Sequence, residues 1–342
     1  MGITAESVVL QNDPSQIEKN ERSRIVELVR RFGGCTTDAV LDPSMQFFEL
    51  QGTSGFISYR LKAGCVVIFG DPVCSEKDKV ALATAFHNFA KEKNKRVVYI
   101  AASEPYTKWA IEHVCKVAVQ FGEEFILDPL CDPRKNTGTH GSLVRRKVKS
   151  ALREGVTIHE YVTKDREVEK AIEEVGEQWL KSRRGPQVHI SNVYLFEDRI
   201  GKRWLYAKKD DKIIGIICLN QLEAYQGWLL NHLMNVPGVP SGTSELLVVS
   251  ALETLAKEGC RFATVGIVAG SELENIMGLS KPLTWLPCGA FKLVTKAIGI
   301  DGLNTFWGKF HPRNKPLYLL FSHNHLGLRE VLALKSALNG KS

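Results

Sequence analysis

The amino-acid sequence predicts a mixed α/β (α+β) fold in two similar halves, each a mixed sheet flanked by helices. The chain has 342 residues, and a single hydrophobic core rarely extends past about 250–300 residues. Hydrophobic residues make up 44% and charged residues 24% of the chain, as is typical of globular proteins. Short apolar runs alternate with segments of helical period, and their order in the first half recurs in the second.

The first half begins with a helix in which apolar residues recur among charged ones, and Gly33 and Gly34 end it. Turn residues separate the next two strands, so we expect an antiparallel hairpin there. The predicted elements, in order, are a helix at 15–31, strands at 45–50, 55–60 and 65–69, a helix after the N-cap Ser75, a strand at 97–101, a helix from Ser103 to about Val119, and a short strand at 125–127.

The second half repeats this order after a basic central stretch. Its predicted elements are a helix at 166–183, a hairpin of strands 203–208 and 213–220, a strand at 228–234, a helix bearing Leu246, Val249, Leu252 and Leu255, and strands at 262–266 and 317–321. A sheet flanked by helices, present twice, fits a tandem acyltransferase-like fold of the GCN5-related type. The sequence therefore predicts transfer of a small acyl group.

We expect five segments along the chain. They are an N-terminal lead and helix (1–40), a first lobe (41–135), a basic inter-lobe helix (136–160), a second lobe that carries the active site (161–330) and a C-terminal tail (331–342).

Charge and cysteine usage indicate the compartment and the partners. The net charge is +7, which favours anionic partners such as nucleic acid, nucleotide cofactors or acidic lipid surfaces. No run reaches the about 18 apolar residues of a membrane span, and residues 1–22 lack the apolar core of a signal peptide. The eight cysteines form no CxxC pair, so a zinc ribbon is not indicated and a reducing compartment is. The sequence predicts a cytoplasmic protein that is able to rest peripherally on a membrane.

The central stretch predicts a helix with a cationic face. Arg146, Lys149 and Arg153 are spaced so that they share one side, with Arg145 beside them, while apolar residues occupy another side. Arginine and lysine neutralise phosphates, so this face and the later pair Arg183 and Arg184 suit an RNA backbone. The alternative is an ordinary solvated helix face.

Three segments contain residues suited to catalysis. His189 follows the extended stretch Gly185-Pro186-Gln187-Val188 and suits a general base, or else a structural histidine. A Pro/Gly loop at 237–242 opens a helix, where free N–H groups stabilise an oxyanion and Glu245 acts on an amine or caps the helix. Asn231 and His232 on the preceding strand line the same cleft in this interpretation, or else pack as an ordinary strand.

Near the C-terminus, cations alternate with aromatic residues. Lys309 and Arg313 in the stretch 306–313 suit a carboxylate, a phosphate or a nucleotide end, or else form a surface turn. His323 and His325 lack a third ligand, so no metal site is predicted. The chain contains neither a Gly-x-Ser-x-Gly elbow nor a Gly-x-Gly-x-x-Gly loop.

Several short motifs occur in a fixed order. They are Phe69-Gly70-Asp71-Pro72, Gly122-Glu123-Glu124, Leu143-Val144-Arg145-Arg146 with Arg153-Glu154-Gly155, Pro240-Ser241-Gly242-Thr243, and Lys309-Phe310-x-Pro312 before Leu317-Tyr318. In these motifs the chain resembles, over roughly residues 45–322, the DUF2156 domain, the catalytic part of bacterial phosphatidylglycerol lysyltransferases and alanyltransferases. The stretches 184–189 and 237–242 are similar to those of the fungal branch that lacks a membrane domain, which includes the tRNA-dependent ergosteryl-aspartate and ergosteryl-glycine synthases.

The resemblance implies a tandem acyltransferase-like fold and transfer of an aminoacyl group from charged tRNA to a lipid hydroxyl, with a sterol favoured as acceptor and phosphatidylglycerol next. It implies no cofactor beyond aminoacyl-tRNA as co-substrate. The bacterial enzymes carry Asp-Leu-Met-Arg on the strand before the Pro-x-Gly loop, where this chain has Asn231-His232-Leu233-Met234. The absence of that carboxylate and that arginine argues against lysine as the transferred amino acid.

The residue patterns and the family resemblance together assign roles to individual residues. Catalysis is assigned to His189, Glu245, Asn231 and His232, and substrate binding to Gln187, Pro240, Ser241, Gly242 and Thr243. Contacts to tRNA are assigned to Arg145, Arg146, Lys149, Arg153, Arg183, Arg184, Lys309 and Arg313. Two alternatives stay open: an acyl-coenzyme A-dependent N-acyltransferase, whose usual Gly-rich loop is altered here, and a non-catalytic module that binds RNA or lipid.

Overall fold

The computed structural model describes residues 7–10, 19–182, 193–278, 301–324 and 327–338. Within these ranges the first half of the chain contains seven strands and five helices of four residues or more. They are β1 (Ser7–Leu10), α1 (Lys19–Phe32), α2 (Thr37–Val40), β2 (Gln46–Leu50), β3 (Gly55–Lys62), β4 (Cys65–Phe69), β5 (Val73–Cys74), α3 (Glu76–Glu92), β6 (Arg96–Ser103), α4 (Glu104–His113), β7 (Val117–Leu127) and α5 (Gly138–Arg153).

The remaining described elements follow the same alternation. They are β8 (Thr157–Tyr161), α6 (Arg166–Ser182), β9 (Lys202–Lys209), β10 (Lys212–Leu222), β11 (Gly227–Asn235), α7 (Thr243–Lys257), β12 (Ala263–Met277), α8 (Asp301–Gly308), β13 (Arg313–Phe321) and α9 (Leu328–Leu338). None of the helices in these ranges combines the length and the apolarity needed to cross a lipid bilayer.

The strands form one continuous mixed sheet, and the predicted mixed α/β class is confirmed. Their order is β1-β2-β3-β4-β6-β13-β7-β12-β11-β10-β9-β8, with the short β5 paired to β3. The two expected sheets are joined edge to edge because β7 and β12 pair antiparallel. The last strand, β13, lies between β6 and β7, so the end of the chain returns to the first half of the sheet.

The helix predicted from Ser103 to about Val119 is too long, because α4 ends at His113 and β7 begins at Val117. Side chains of β7 are buried on both faces of the sheet: Val119 packs in one core and Ala118 in the opposite one. A strand buried on both sides shows no alternation of polar and apolar residues, so its sequence alone does not distinguish it from a buried helix.

Helices cover both faces of the sheet. In the first half α1, α2 and α9 share one core, while α3 packs with α4 on the opposite face. In the second half α5 and α7 share a core with Ile217 and Leu219 of β10, and α6 packs against Ile216 and Cys218. Helix α1 also contacts β10, so the N-terminal segment extends over the second half.

Strands β11 and β12 separate soon after they begin. Their parallel pairing consists of Trp228 with Ala263 and Leu229 with Thr264. We call the divergence beyond these pairs the strand split. The loop between α1 and α2 lies over it, since a Cβ placed on Gly266 of β12 would be 3.5 Å from the carbonyl oxygen of Cys35.

Candidate active site at the strand split

The loop that enters α7 is docked onto α5. Gly242 has φ +99°, a left-handed conformation that favours glycine, and a Cβ there would lie 2.0 Å from the carbonyl oxygen of Lys147. Lys147 Nζ donates to Ser241 Oγ at 2.7 Å, and Thr243 Oγ1 donates to the carbonyl of Pro240 at 2.8 Å. The predicted substrate loop, residues 240–243, is therefore held against the basic helix.

On its other side this loop borders an open groove of about 380 Å³. Pro240 and the preceding residues line it, together with Glu154 just after α5 and with Lys209 and Lys212 of the β9–β10 turn. The groove thus joins the substrate loop to the C-terminal end of the basic helix.

The start of α7 carries a buried ion pair. Lys309 Nζ donates to Glu245 Oε1 at 2.6 Å, and the two side chains are 8% and 9% exposed. The same ammonium lies 3.8 Å from the ring centre of Phe306, a cation–π distance. Sequence reasoning assigned these residues to tRNA binding and to catalysis separately, whereas the structure places them in direct contact.

A second polar cluster lies on the opposite face of the sheet, centred on Asp38 of α2. Asn220 Nδ2 donates to Asp38 Oδ1 at 2.8 Å, and Asn231 Nδ2 donates to Asp38 Oδ2. His232 Nε2 lies 3.5 Å from Oδ2, and Arg30 Nη2 lies 3.8 Å from Oδ1. The segment 30–38 therefore brings a carboxylate and a guanidinium to the predicted site residues Asn231 and His232.

Asp38 is ionised at neutral pH in this environment. Burial acts to raise the pKa of Asp38, but the facing imidazole of His232 and the positive charges of Lys202 and Arg30 outweigh it and hold the pKa well below its usual range. The chain thus supplies a charged carboxylate at β11 even though strand β11 itself carries none there.

Further acidic groups surround the α1–α2 loop. Burial raises the pKa of Asp71 and of Glu124, and Asp71 accepts hydrogen bonds from the Ser103 backbone N–H at 2.9 Å and Oγ at 2.6 Å. Burial also raises the pKa of the Cys35 thiol well above its ordinary value. Because the thiolate is the nucleophilic form, Cys35 is not suited to covalent catalysis.

Helix α5 has the two faces that its sequence indicates. Val144, Val148 and Ala151 are buried, and Arg146, Lys149 and Arg153 are exposed. Arg145 is exposed too, but its guanidinium donates to the carbonyls of Arg134 at 2.7 Å and Asn136 at 2.9 Å. Three cations of this face are therefore exposed on the helix whose Lys147 contacts the substrate loop.

The other predicted residues lie apart or outside the described ranges. Arg313 is exposed at the start of β13, and the neighbouring His311 ring lies 5.2 Å from that of His140 in the first turn of α5. Arg183, Arg184, Gln187 and His189 fall outside the described residues. In the part of the chain that the structure describes, no three His, Cys, Asp or Glu side chains are grouped to hold a metal ion.

Sequence reasoning missed Arg30, Asp38 and Asn220. Asn220 left one signal, because it directly follows the apolar run 213–219; it is fully buried, and a buried amide needs a partner. Nothing in the local sequence connects it with Asp38, which lies 182 residues away.

Comparison with known proteins gives a family. The family described as "Phosphatidylglycerol lysyltransferase, C-terminal" matches residues 29–321. The chain is similar to the DUF2156 C-terminal domain of an Agrobacterium fabrum protein, with a TM-score of 0.76, 19% identity and coverage of 94% of this chain and 98% of that one. It is also similar to L-PGS from Bacillus licheniformis, with a TM-score of 0.74, 16% identity and coverage of 95% and 98%.

A curated relative matches in one segment. Phosphatidylglycerol lysyltransferase of Staphylococcus aureus (strain COL) is 26% identical over 103 residues, which is 30% of this chain and 12% of that protein. The predicted DUF2156 resemblance is confirmed, and the closer resemblance to the fungal branch stays a prediction.

Proposed function

The chain belongs to the phosphatidylglycerol lysyltransferase C-terminal family, and from this premise we propose that it transfers an aminoacyl group from charged tRNA to the hydroxyl of a membrane lipid. A sterol is the favoured acceptor and phosphatidylglycerol the next. The protein would bind charged tRNA in the cytoplasm, and it would attach peripherally to the membrane surface.

One observation carries the tRNA part of the proposal. The exposed cations Arg146, Lys149 and Arg153 lie on a helix whose backbone touches Gly242 of the substrate loop. Phosphates bound along this face would bring a tRNA end to the strand split, since α7 begins at the end where β11 and β12 have diverged. A cationic surface fixed directly to a substrate loop is what delivery of a nucleic-acid-linked substrate requires.

The reaction exchanges one ester for another. The acceptor hydroxyl oxygen bonds to the ester carbonyl carbon, the bond to the ribose oxygen breaks, and the hydroxyl proton passes to that ribose oxygen. Such an exchange needs orientation, a base and oxyanion stabilisation. His232 beside the charged Asp38 suits the base among the described residues, and His189 is the alternative from sequence.

A transfer assay tests this function. Purified protein is given each radiolabelled aminoacyl-tRNA in turn, with vesicles that contain ergosterol and phosphatidylglycerol, and lipids are separated by thin-layer chromatography. We expect one labelled lipid, which disappears when the tRNA is first digested with RNase. A labelled lipid that resists RNase, or no labelled lipid with any aminoacyl-tRNA, would contradict the proposal.

Coenzyme A provides the control for the rival activity. A rise in melting temperature with acetyl-coenzyme A, in the absence of tRNA, would favour an acyl-coenzyme A transferase. We expect no rise, because the loop at 239–244 lacks the second glycine and the cation of the usual pyrophosphate loop.

A further inference from the structure

Arg30 is a buried cation with unsatisfied nitrogens. Its side chain is 1% exposed, and Nε donates to the carbonyl of Ile200 at 2.8 Å. Within the described residues, Nη1 and Nη2 are buried and have no hydrogen-bond partner. A Cβ on Gly201 would lie 2.9 Å from the Arg30 stem, so this glycine makes room for the arginine. The guanidinium is therefore held close to Asp38, with Nη2 at 3.8 Å from Oδ1.

His232, on the other side of the Asp38 carboxylate, also has a buried nitrogen without a hydrogen-bond partner among the described residues. Its Nε2 is buried and has no hydrogen-bond partner in the described part of the chain, because 3.5 Å to Asp38 Oδ2 exceeds a good hydrogen-bond length. The residue also has φ +23°, a backbone conformation that costs energy in a residue with a side chain. Local backbone strain clusters at functional sites, and a buried polar atom without a partner calls for an explanation.

The carboxylate between these groups is fixed from two strands. Asn220 of β10 and Asn231 of β11 each donate to one of its oxygens, so the carboxylate cannot turn away from the imidazole. Asp38 of α2 is the charged group that His232 contacts within the described residues, and Lys202 at the start of β9 and Arg30 of α1 act on that carboxylate by their charge. The N-terminal segment thereby completes a site whose other members lie in the second half.

We propose that Asp38 is a positioning residue, which orients the His232 imidazole and stabilises its cationic form while that imidazole accepts the proton of the acceptor hydroxyl. This inference rests on the proposed aminoacyl transfer. With Nε2 facing Asp38, Nδ1 is the nitrogen available to the hydroxyl. Nδ1 takes the proton as the new ester bond forms and returns it to the ribose oxygen as the old one breaks.

Arg30 has a separate part in this arrangement. A buried carboxylate without a nearby cation tends to take up a proton, and a neutral Asp38 would no longer stabilise an imidazolium. Arg30 contributes to keeping Asp38 ionised, together with His232 and Lys202, and the proton is left for the imidazole.

Imidazole ¹⁵N NMR of the full chain tests the coupling without substrate. The His232 signal is assigned by its loss in His232→Gln. We expect the neutral ring to carry its proton on Nε2, the nitrogen that faces the Asp38 carboxylate, and to lose part of this preference in Asp38→Asn, where the negative charge is removed. The matched control is Asp198→Asn, since Asp198 also joins α1 to the second half, through Arg22, but does not face His232.

The possible outcomes distinguish the positioning role of Asp38 from the proposed aminoacyl transfer. A neutral ring protonated on Nδ1, or an unchanged tautomer ratio in Asp38→Asn, overturns the positioning role, and the tautomer is first read on the unmodified protein. In the transfer assay, Asp38→Asn should lose on the order of 100-fold in rate at neutral pH. If no aminoacyl-tRNA yields a lipid product, the transfer function fails while the NMR result still decides the coupling.

Discussion

Glu245 on the first turn of α7 and Lys309, 64 residues later, form an ion pair at 2.6 Å that is almost wholly buried. Lys309 follows α8 and precedes β13, the strand that returns to the first half of the sheet. The pair therefore ties the start of the helix beside the strand split to the segment that crosses between the halves. The two charges therefore compensate each other inside the protein.

Removal of one partner of the Glu245–Lys309 ion pair should lower the free energy of unfolding. In Lys309→Met the Glu245 carboxylate stays buried without its cation, and we expect a loss of about 3–5 kcal/mol in the free energy of unfolding by urea. The double variant Lys309→Met/Glu245→Gln should recover most of this loss. The exposed pair Lys181–Glu177 is the control, and Lys181→Met should cost about 1 kcal/mol or less. A double variant as unstable as the single one would show that the pair is not the cause.

The effect of the contact between Gly242 and α5 on stability can be measured separately from the effect of backbone strain. Gly242→Ala places a Cβ 2.0 Å from the carbonyl oxygen of Lys147 at φ +99°, whereas Gly238→Ala has φ +79° with no atom within 4 Å. Both variants carry the left-handed cost of about 1 kcal/mol, and only the first adds a clash. We expect Gly242→Ala to lose about 2 kcal/mol more than Gly238→Ala in urea unfolding. Equal losses would mean that α5 moves aside freely.

The cationic face of α5 should determine the salt dependence of RNA binding. Substitution of Arg146, Lys149 and Arg153 by Gln should weaken tRNA binding and lower the slope of log K against log salt by about one for each lost phosphate contact. The control replaces three exposed cations elsewhere, Lys164, Arg166 and Lys170. Fluorescence anisotropy with labelled tRNA measures both slopes. The assignment of this face fails if the two triple variants bind alike.

A buried histidine in the first half should make stability depend on pH. Burial lowers the pKa of His87 to about 4, and its Nε2 lies 3.0 Å from Tyr99 Oη. Protonation then favours the unfolded chain, so the contribution of His87 is complete above about pH 6.5 and is lost as the pH falls towards 4. In His87→Gln the free energy of unfolding should decline less steeply over this window. His113→Gln, at an exposed ring, is the control, and equal slopes in both variants would contradict the prediction.

Local patterns in the sequence predicted much of the fold. The mixed class, the two faces of α5 and the Pro/Gly loop that opens α7 follow from the period of apolar residues and from turn chemistry, which act over a few neighbouring residues. The strand β7 was partly mistaken for helix, since burial on both faces removes the periodic signal. Its pairing with β12 and β13 is a long-range relation that no local window contains.

The sequence indicated only part of the candidate site for the same reason. Motif order indicated the loop at 240–243, Glu245, Asn231 and His232, because these residues are close together along the chain. Only the tertiary structure decided that Lys309 pairs with Glu245, and that Arg30 and Asp38 lie beside β11 and supply the charges that this strand lacks. Electrostatic interactions depend on the distance between groups in space. Folding brings a helix of the first half next to a strand of the second half, and neither local sequence contains information about this contact.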